Sequence, residues 1–279
     1  MKHSAFTLIL ALGLAAVLGS RTAAQSTAGA AEFALGFDRN DYPGDPTLET
    51  LRQTFSYTGY WLNNPPGASS NGWAGHRAAV EAAGFGFLVL FNGRLYAELK
   101  SVANAAWLGR ADARAAAHAA QREGFPRMTV IFLDQEQGGR MLAEQKAYIY
   151  AWADGVVAAG FRAGIYCSGI PATGDGNVVT AEDIRQHAGA RAIVYWAIND
   201  ACPPAPGCAF PQRPPSPAQS GVSFAEVWQF AQSPRRSDVA AHCANYSADG
   251  NCYAPGAAPG LHADVNTATS SDPSHGRTR

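Results

Sequence analysis

The sequence predicts an α/β protein folded as a single-domain (β/α)8 TIM barrel. Three observations carry that expectation. Short apolar runs alternate with helical patterns along nearly the whole chain. Several runs are apolar on both faces, as strands covered by helices must be. Eight such runs can be found, the number that closes a barrel.

Taken in order, the runs are EFALGFD (32–38), FSYTGYW (55–61), FGFLVLF (85–91), MTVIFLD (128–134), RAGIYCS (162–168), AIVYWAI (192–198), FAEVWQF (224–230) and LHADVN (261–266). The intervals carry helix signals. DPTLETLRQ has Asp45 as its expected N-cap and Pro46 at the first helical position. GHRAAVEAAG and RADARAAAHAAQREG both stop at glycine, and GGRMLAEQKAYIYAWADGVVAAG follows the fourth run. Thr180 with Asp183 opens TAEDIRQHAG in the manner of a capping box. One interval breaks the rhythm. Residues 199–221, NDACPPAPGCAFPQRPPSPAQSG, hold seven prolines and read as a Pro-rich loop after the sixth strand.

Outside the barrel, expected at 32–267, the chain divides simply. Residues 1–24 have a basic start, a short apolar stretch and small residues before the expected cleavage point, which is a secretory signal peptide. That predicts a secreted or periplasmic protein, without a second apolar segment to serve as a membrane anchor. Residues 25–31 form a short linker, and the polar residues 268–279 are expected to be a disordered tail. Among the five cysteines, Cys202–Cys208 and Cys243–Cys252 are the natural short-range disulfides, which would clip the Pro-rich loop and leave Cys167 as a buried free thiol. The Cys spacings do not match a zinc site, so neither metal nor cofactor is expected. A net charge of −1 with 15% charged residues gives no basic face for nucleic acid. A monomer is expected.

The chemistry is read from what ends the strands. Barrel enzymes work at the C-terminal ends of their strands. There this sequence places Asp38 on the first, Asp134 with Glu136 on the fourth, and Asp264 with Asn266 on the eighth. Residues i and i+2 of an extended chain share a face about 6.5 Å apart, so Asp134 and Glu136 should reach the mouth together. Like charges raise one another's pKa, and glycoside hydrolysis needs one carboxyl protonated and another ionised. The bland alternative is that these acids pair with Arg39, Arg94 or Arg140. Aromatic residues gather at the same ends: Tyr60, Trp61, Tyr166, Tyr195, Trp196 and Trp228, the last beside Gln229. Sugars stack on such rings.

GFDRN, FLDQEQ, GIYCSG, YWAIND, VWQFAQS and HADVN occur in the order found in family 25 glycoside hydrolases, the lysozyme-type muramidases. The sequence resembles still more closely the related bacterial glycoside-hydrolase-like domains of unassigned function. The resemblance spans about residues 33–267. It implies Glu136 as general acid and Asp134 as its partner, supporting attack by the substrate's own acetamido group. It implies Asp38 and Asp264 as the rest of an acidic floor, and Tyr195, Trp196, Trp228 and Gln229 lining a sugar site, with a polysaccharide, peptidoglycan, as substrate. GFDRN departs from the muramidase GIDVS, and NGWAGHR (71–77) and the Pro-rich loop lack a muramidase counterpart. Two readings follow: a secreted glycosidase acting on cell-wall glycan, or a barrel that binds glycan without cutting it. A serine hydrolase is disfavoured because no G-x-S-x-G occurs, and a metal-dependent hydrolase because no H-E-x-x-H occurs.

Overall fold

A computed structural model describes residues 1, 33–200, 211, 213–232 and 263–278. The proposed signal peptide, Cys202, Cys208, Cys243, Cys252 and much of the Pro-rich loop lie outside the described residues. Ala31–Arg279 form one compact unit. Its centre is a closed barrel with strand order β1 (Ala34–Asp38), β10 (Asp264–Ala268), β9 (Val227–Ala231), β8 (Ile193–Ile198), β5 (Arg162–Ser168), β4 (Val130–Asp134), β3 (Gly86–Asn92) and β2 (Tyr57–Trp61). A small hairpin, β6 (Pro171–Ala172) with β7 (Val178–Val179), stands apart from it. All eight apolar runs become barrel strands.

The barrel departs from strict (β/α)8 at one strand. β10 is antiparallel to both neighbours, β1 and β9, while the other pairs are parallel. This matters at the mouth. Because β10 runs downward, its first residue, Asp264, lies at the rim opposite Asp38, and Asn266 lies one layer deeper opposite Gly36. The register of β10 against β9 shifts between Val265 and Asn266, which brings Asn266 opposite Gln229. Bulges of this kind re-aim side chains and are common beside functional sites.

The helices are α1 (Asp45–Arg52), α2 (Arg77–Ala82), the short α3 (Tyr96–Leu99), α4 (Val102–Glu123), α5 (Ala143–Ala158) and α6 (Thr180–His187). Five of the six helices described overlap stretches with helix signals; α3 had none, and α4 begins eight residues before its stretch. α4 ends as expected at Gly124, in the left-handed region at φ 80°. Two caps differ from expectation. Gly44, not Asp45, caps α1, and the Asp45 carboxylate instead meets the Tyr42 hydroxyl and the His76 ring. Thr180 is the first residue of α6 rather than its cap, and its hydroxyl reaches across to Gly139. The described end of the Pro-rich stretch contains a short 3-10 turn, Pro217–Ser220.

Residues 268–278, expected to be disordered, instead seal the lower end of the barrel. β3 starts below β4, so its lower backbone lacks a partner on that side. The tail supplies one: Asp272 accepts from the Phe87 amide at 2.9 Å and the Ser274 hydroxyl from the Val89 amide at 2.8 Å. The Val130 amide donates to the Ser274 carbonyl at 2.8 Å, and Arg77 donates to that of Gly276 at 2.7 Å. Ser274 is fully buried. A polar tail is ordered here because short polar side chains satisfy backbone groups that would otherwise be buried and unpaired. Cys167 is buried and free, as expected.

Candidate active site

At the upper end, where the parallel strands finish, lies a cavity of about 310 Å³. Asp38, Asp134, Glu136 and Asp264 all line it, with Trp61, Tyr166, Trp196 and Gln229. The strand pleat explains this selection. Neighbouring residues point to opposite faces, so only one of each aromatic doublet can face inward. On β2 it is Trp61; Tyr60 turns outward, packs on Trp73, Phe87 and Phe125, and donates to Glu123. On β8 it is Trp196; Tyr195 faces outward against Phe224. On β9 it is Gln229; Trp228 packs on Phe230 and donates its indole N–H to the Asn199 carbonyl at 2.8 Å. Tyr60, Tyr195 and Trp228 therefore do not line the cavity, against expectation, and nor does Asn266, which is fully buried.

Four further residues line it that the sequence reading did not single out: Asn40, Pro66, Leu90 and Gln232. Asn40 was findable, since it stands two residues beyond Asp38 as Glu136 does beyond Asp134. Pro66 and Gln232 come from loops and carried no comparable signal.

One wall is a closed hydrogen-bond network. Trp196 donates its indole N–H to Asn266 Oδ1 at 3.0 Å, and an indole can only donate, which fixes the Asn266 amide orientation. Asn266 Nδ2 then faces Asp38 Oδ2 at 2.6 Å. The Tyr166 hydroxyl donates to Gln229 Oε1 at 2.9 Å. That leaves Gln229 Nε2 to donate to Asp38 Oδ2 at 3.0 Å and Asp264 Oδ2 at 3.4 Å. Space for Asp38 exists because its neighbour on β2 is Gly59: a Cβ there would come within 2.6 Å of the Asp38 Cβ. Burial pushes the Asp38 carboxyl up to about 6, despite the two amides that favour its charge, and the Glu136 charge adds to the rise.

The opposite wall is different. Asp134 ends β4 and is 4% exposed, whereas Glu136 is exposed in the following loop. Asp134 Oδ1 is buried without a hydrogen-bond partner among the described residues. Burial, then the charges of Glu136 and Asp38, hold the Asp134 carboxyl well above the usual carboxylate range. The simplest alternative use of these acids is weakened, because two of the three arginines considered for them are engaged elsewhere. Arg94 clasps Asp112 at 2.6 and 2.9 Å, and Arg140 lies beside Asp175 and Asp183 at 3.7 and 3.9 Å. Arg39 lies 3.8 Å from Asp41. The same four acids supply no metal cluster: among the described residues, no group of three or more metal-ligating side chains is arranged to hold an ion.

A family model described as "Rv2525c-like, glycoside hydrolase-like domain" matches residues 56–202, from β2 through β8 with Asp134 and Glu136 inside. The chain belongs to this family. The Rv2525c-like fold is shared with solved structures at low identity. An uncharacterized B. stearothermophilus protein is 22% identical over 84% of this chain and 95% of its own, with a TM-score of 0.52. The Tat-secreted protein Rv2525c of Mycobacterium tuberculosis, in complex with L-tartrate, is 13% identical over 86% and 96%, with a TM-score of 0.50. The bacterial lysozyme from Streptomyces coelicolor is 14% identical over 85% and 92%, with a TM-score of 0.50. At such identities the likeness is one of fold. No curated protein sequence matches the chain. For a member of the Rv2525c-like family, the glycoside-hydrolase-like barrel and its acid-lined mouth are thus established, and the chemistry must be argued from the residues.

Proposed function

We propose that this chain is an exported glycoside hydrolase that cleaves bacterial cell-wall glycan, with Glu136 as general acid and Asp134 as its partner. One observation carries the reading: an exposed carboxyl and a fully buried one, two residues apart, line the same cavity. The proposed leader at 1–24 supplies export, and the lysozyme fold supports a glycan substrate.

Before substrate binds, burial and the Glu136 charge favour a proton on Asp134. A substrate acetamido N–H donating to the bare Asp134 Oδ1 would favour the ionised form there and move the proton to Glu136. Glu136 then protonates the departing glycosidic oxygen while the acetamido carbonyl oxygen attacks the anomeric carbon. The C–O bond to the leaving sugar breaks as the new C–O bond forms, and Asp134 stabilises the positive charge on the ring nitrogen. Water, deprotonated by Glu136, then attacks the anomeric carbon as its bond to the acetamido oxygen breaks, which opens the five-membered ring formed with the acetamido group, regenerates the acetamido group and restores the acid. Asp38 and Asp264 add negative potential where positive charge develops.

General acid catalysis of this kind is worth about 10²–10⁴-fold. Release of soluble reducing ends from purified peptidoglycan is therefore expected from wild type and lost in Glu136→Gln and Asp134→Asn. Retained release in Glu136→Gln would sink the assignment. The second reading, a glycan-binding barrel, draws on the wall where Asp38, Gln229, Asn266 and Trp196 satisfy one another. It predicts that wild type and both variants pull down the polymer and release nothing.

A further inference from the structure

The loop that carries Glu136 is held from outside the cavity by groups the proposed reaction does not use. The hairpin β6–β7 and the start of α6 collect three consecutive residues of that loop. The Gly139 amide donates to Thr180 Oγ1 at 2.8 Å, and the Thr180 hydroxyl lies 3.1 Å from the Gly139 carbonyl. The Arg140 amide donates to Asp175 Oδ2 at 2.6 Å, at the hairpin tip. The Met141 amide donates to Asp183 Oδ2 at 2.9 Å. Thr180 and Asp183 are both buried, and Lys146 Nζ lies 3.2 Å from Asp183 Oδ2, so the clamp carries its own counter-charge. Gly139 makes the turn at φ 88°, a conformation L side chains rarely adopt, and presents its backbone directly to Thr180. On the other flank, Gln137 Oε1 accepts from the Tyr96 amide at 2.6 Å.

Glu136 directly precedes both anchorages, and none of the clamp residues lines the cavity. An exposed acid in a βα loop would ordinarily wander, because a long side chain loses entropy on being fixed. Four hydrogen bonds from α6 and the hairpin instead fix the backbone within five residues of it. We infer that Asp183, with Thr180 and Asp175, is a positioning set that holds the Glu136 carboxyl on the line of the leaving oxygen. The inference rests on the proposed glycosidase reading and deepens it by assigning α6 and the β6–β7 hairpin a role in proton delivery.

The test compares two substrates. Protonation matters for a sugar leaving group but not for a phenol of low pKa. Asp183→Ala is expected to lower kcat on peptidoglycan by about 10- to 100-fold, the scale of a small misplacement of a catalytic group. The kcat/KM for an N-acetylhexosamine glycoside of an acidic phenol, which reports the steps through phenol departure and not the later attack of water, should stay within about twofold. Because Asp183 is buried beside Lys146, Thr180→Val and Asp175→Ala, at the half-buried hairpin tip, provide milder versions, and Thr180→Ser should keep wild-type rates. Equal losses on both substrates would mean a general structural defect, and no loss on either would mean the clamp positions nothing; each overturns the inference. If wild type turns over neither substrate, the glycosidase reading fails by itself. Amide hydrogen exchange then decides the clamp: residues 136–141 should exchange at least about tenfold faster in Asp183→Ala, with β4 and β5 unchanged. Unchanged exchange there would overturn it.

Discussion

Asp38 and Asp134 are both buried carboxylates on facing walls of one cavity, yet they are supported in opposite ways. Asp38 takes two amide donors on a single oxygen, and each donor is oriented by an aromatic residue behind it. Asp134 has a buried oxygen that nothing in the described protein satisfies. Burial raises both, but the amides hold Asp38 to about 6 while Asp134 rises well beyond the usual range. A buried polar atom without a partner costs about 1–3 kcal/mol, so its persistence asks for a reason. The Asp38 wall is a finished structure. The Asp134 wall leaves one buried acceptor unpaired among the described residues.

Breaking the finished wall should have the largest effect on stability. Trp196 is 1% exposed, packs on Phe132 and Tyr166, and orients Asn266. Trp196→Ala should cost about 3–5 kcal/mol, read from chemical denaturation midpoints at constant m. A loss under about 1 kcal/mol would show that the wall is not a packed unit. Next comes Asp38→Ala, which takes the close acceptor from the Gln229 and Asn266 amides and leaves them only long contacts to Asp264, at 3.4 and 3.5 Å. Each orphaned donor costs about 1–3 kcal/mol, so this variant should be clearly less stable than Asp38→Asn, in which an amide oxygen can take both donors. Equal stability of the two would mean that the network contributes little.

The contrast between the walls was half visible beforehand. Acids at strand ends and the i, i+2 relation of Asp134 and Glu136 follow from strand geometry, and the cavity holds all four acids named from the sequence. Which member of Tyr60–Trp61, Tyr195–Trp196 or Trp228–Gln229 faces inward was not legible, because a one-residue change of phase exchanges the faces. The direction of β10 was equally hidden: LHADVN is short, apolar in patches and reads alike either way. Its reversal decides the site, since it lifts Asp264 to the rim and lowers Asn266 beneath Asp38. The tail was misread for a related reason. Ser and Asp suggest disorder by composition, but Asp272 and Ser274 meet open backbone of β3 that only the closed barrel reveals.

The smallest expected effect separates the two acids most cleanly. A carboxyl raised by burial stabilises the fold in its protonated form, so that stability is fully present below the unfolded value, near 3.8, and is lost as pH rises through the folded value. For Asp38 the loss is complete a little above about 6. For Asp134 the loss continues to higher pH, because its carboxyl is held further up. Asp134→Asn removes only this second part. Its melting temperature should match wild type near pH 4 and exceed it by a few degrees at higher pH, while Asp38→Asn should reach its full gain by pH 7. A constant offset for Asp134→Asn, or one that shrinks as pH rises, would mean that Asp134 is satisfied in the folded protein. The two walls would then be alike, and the cavity would have no unfilled contact for a sugar to complete.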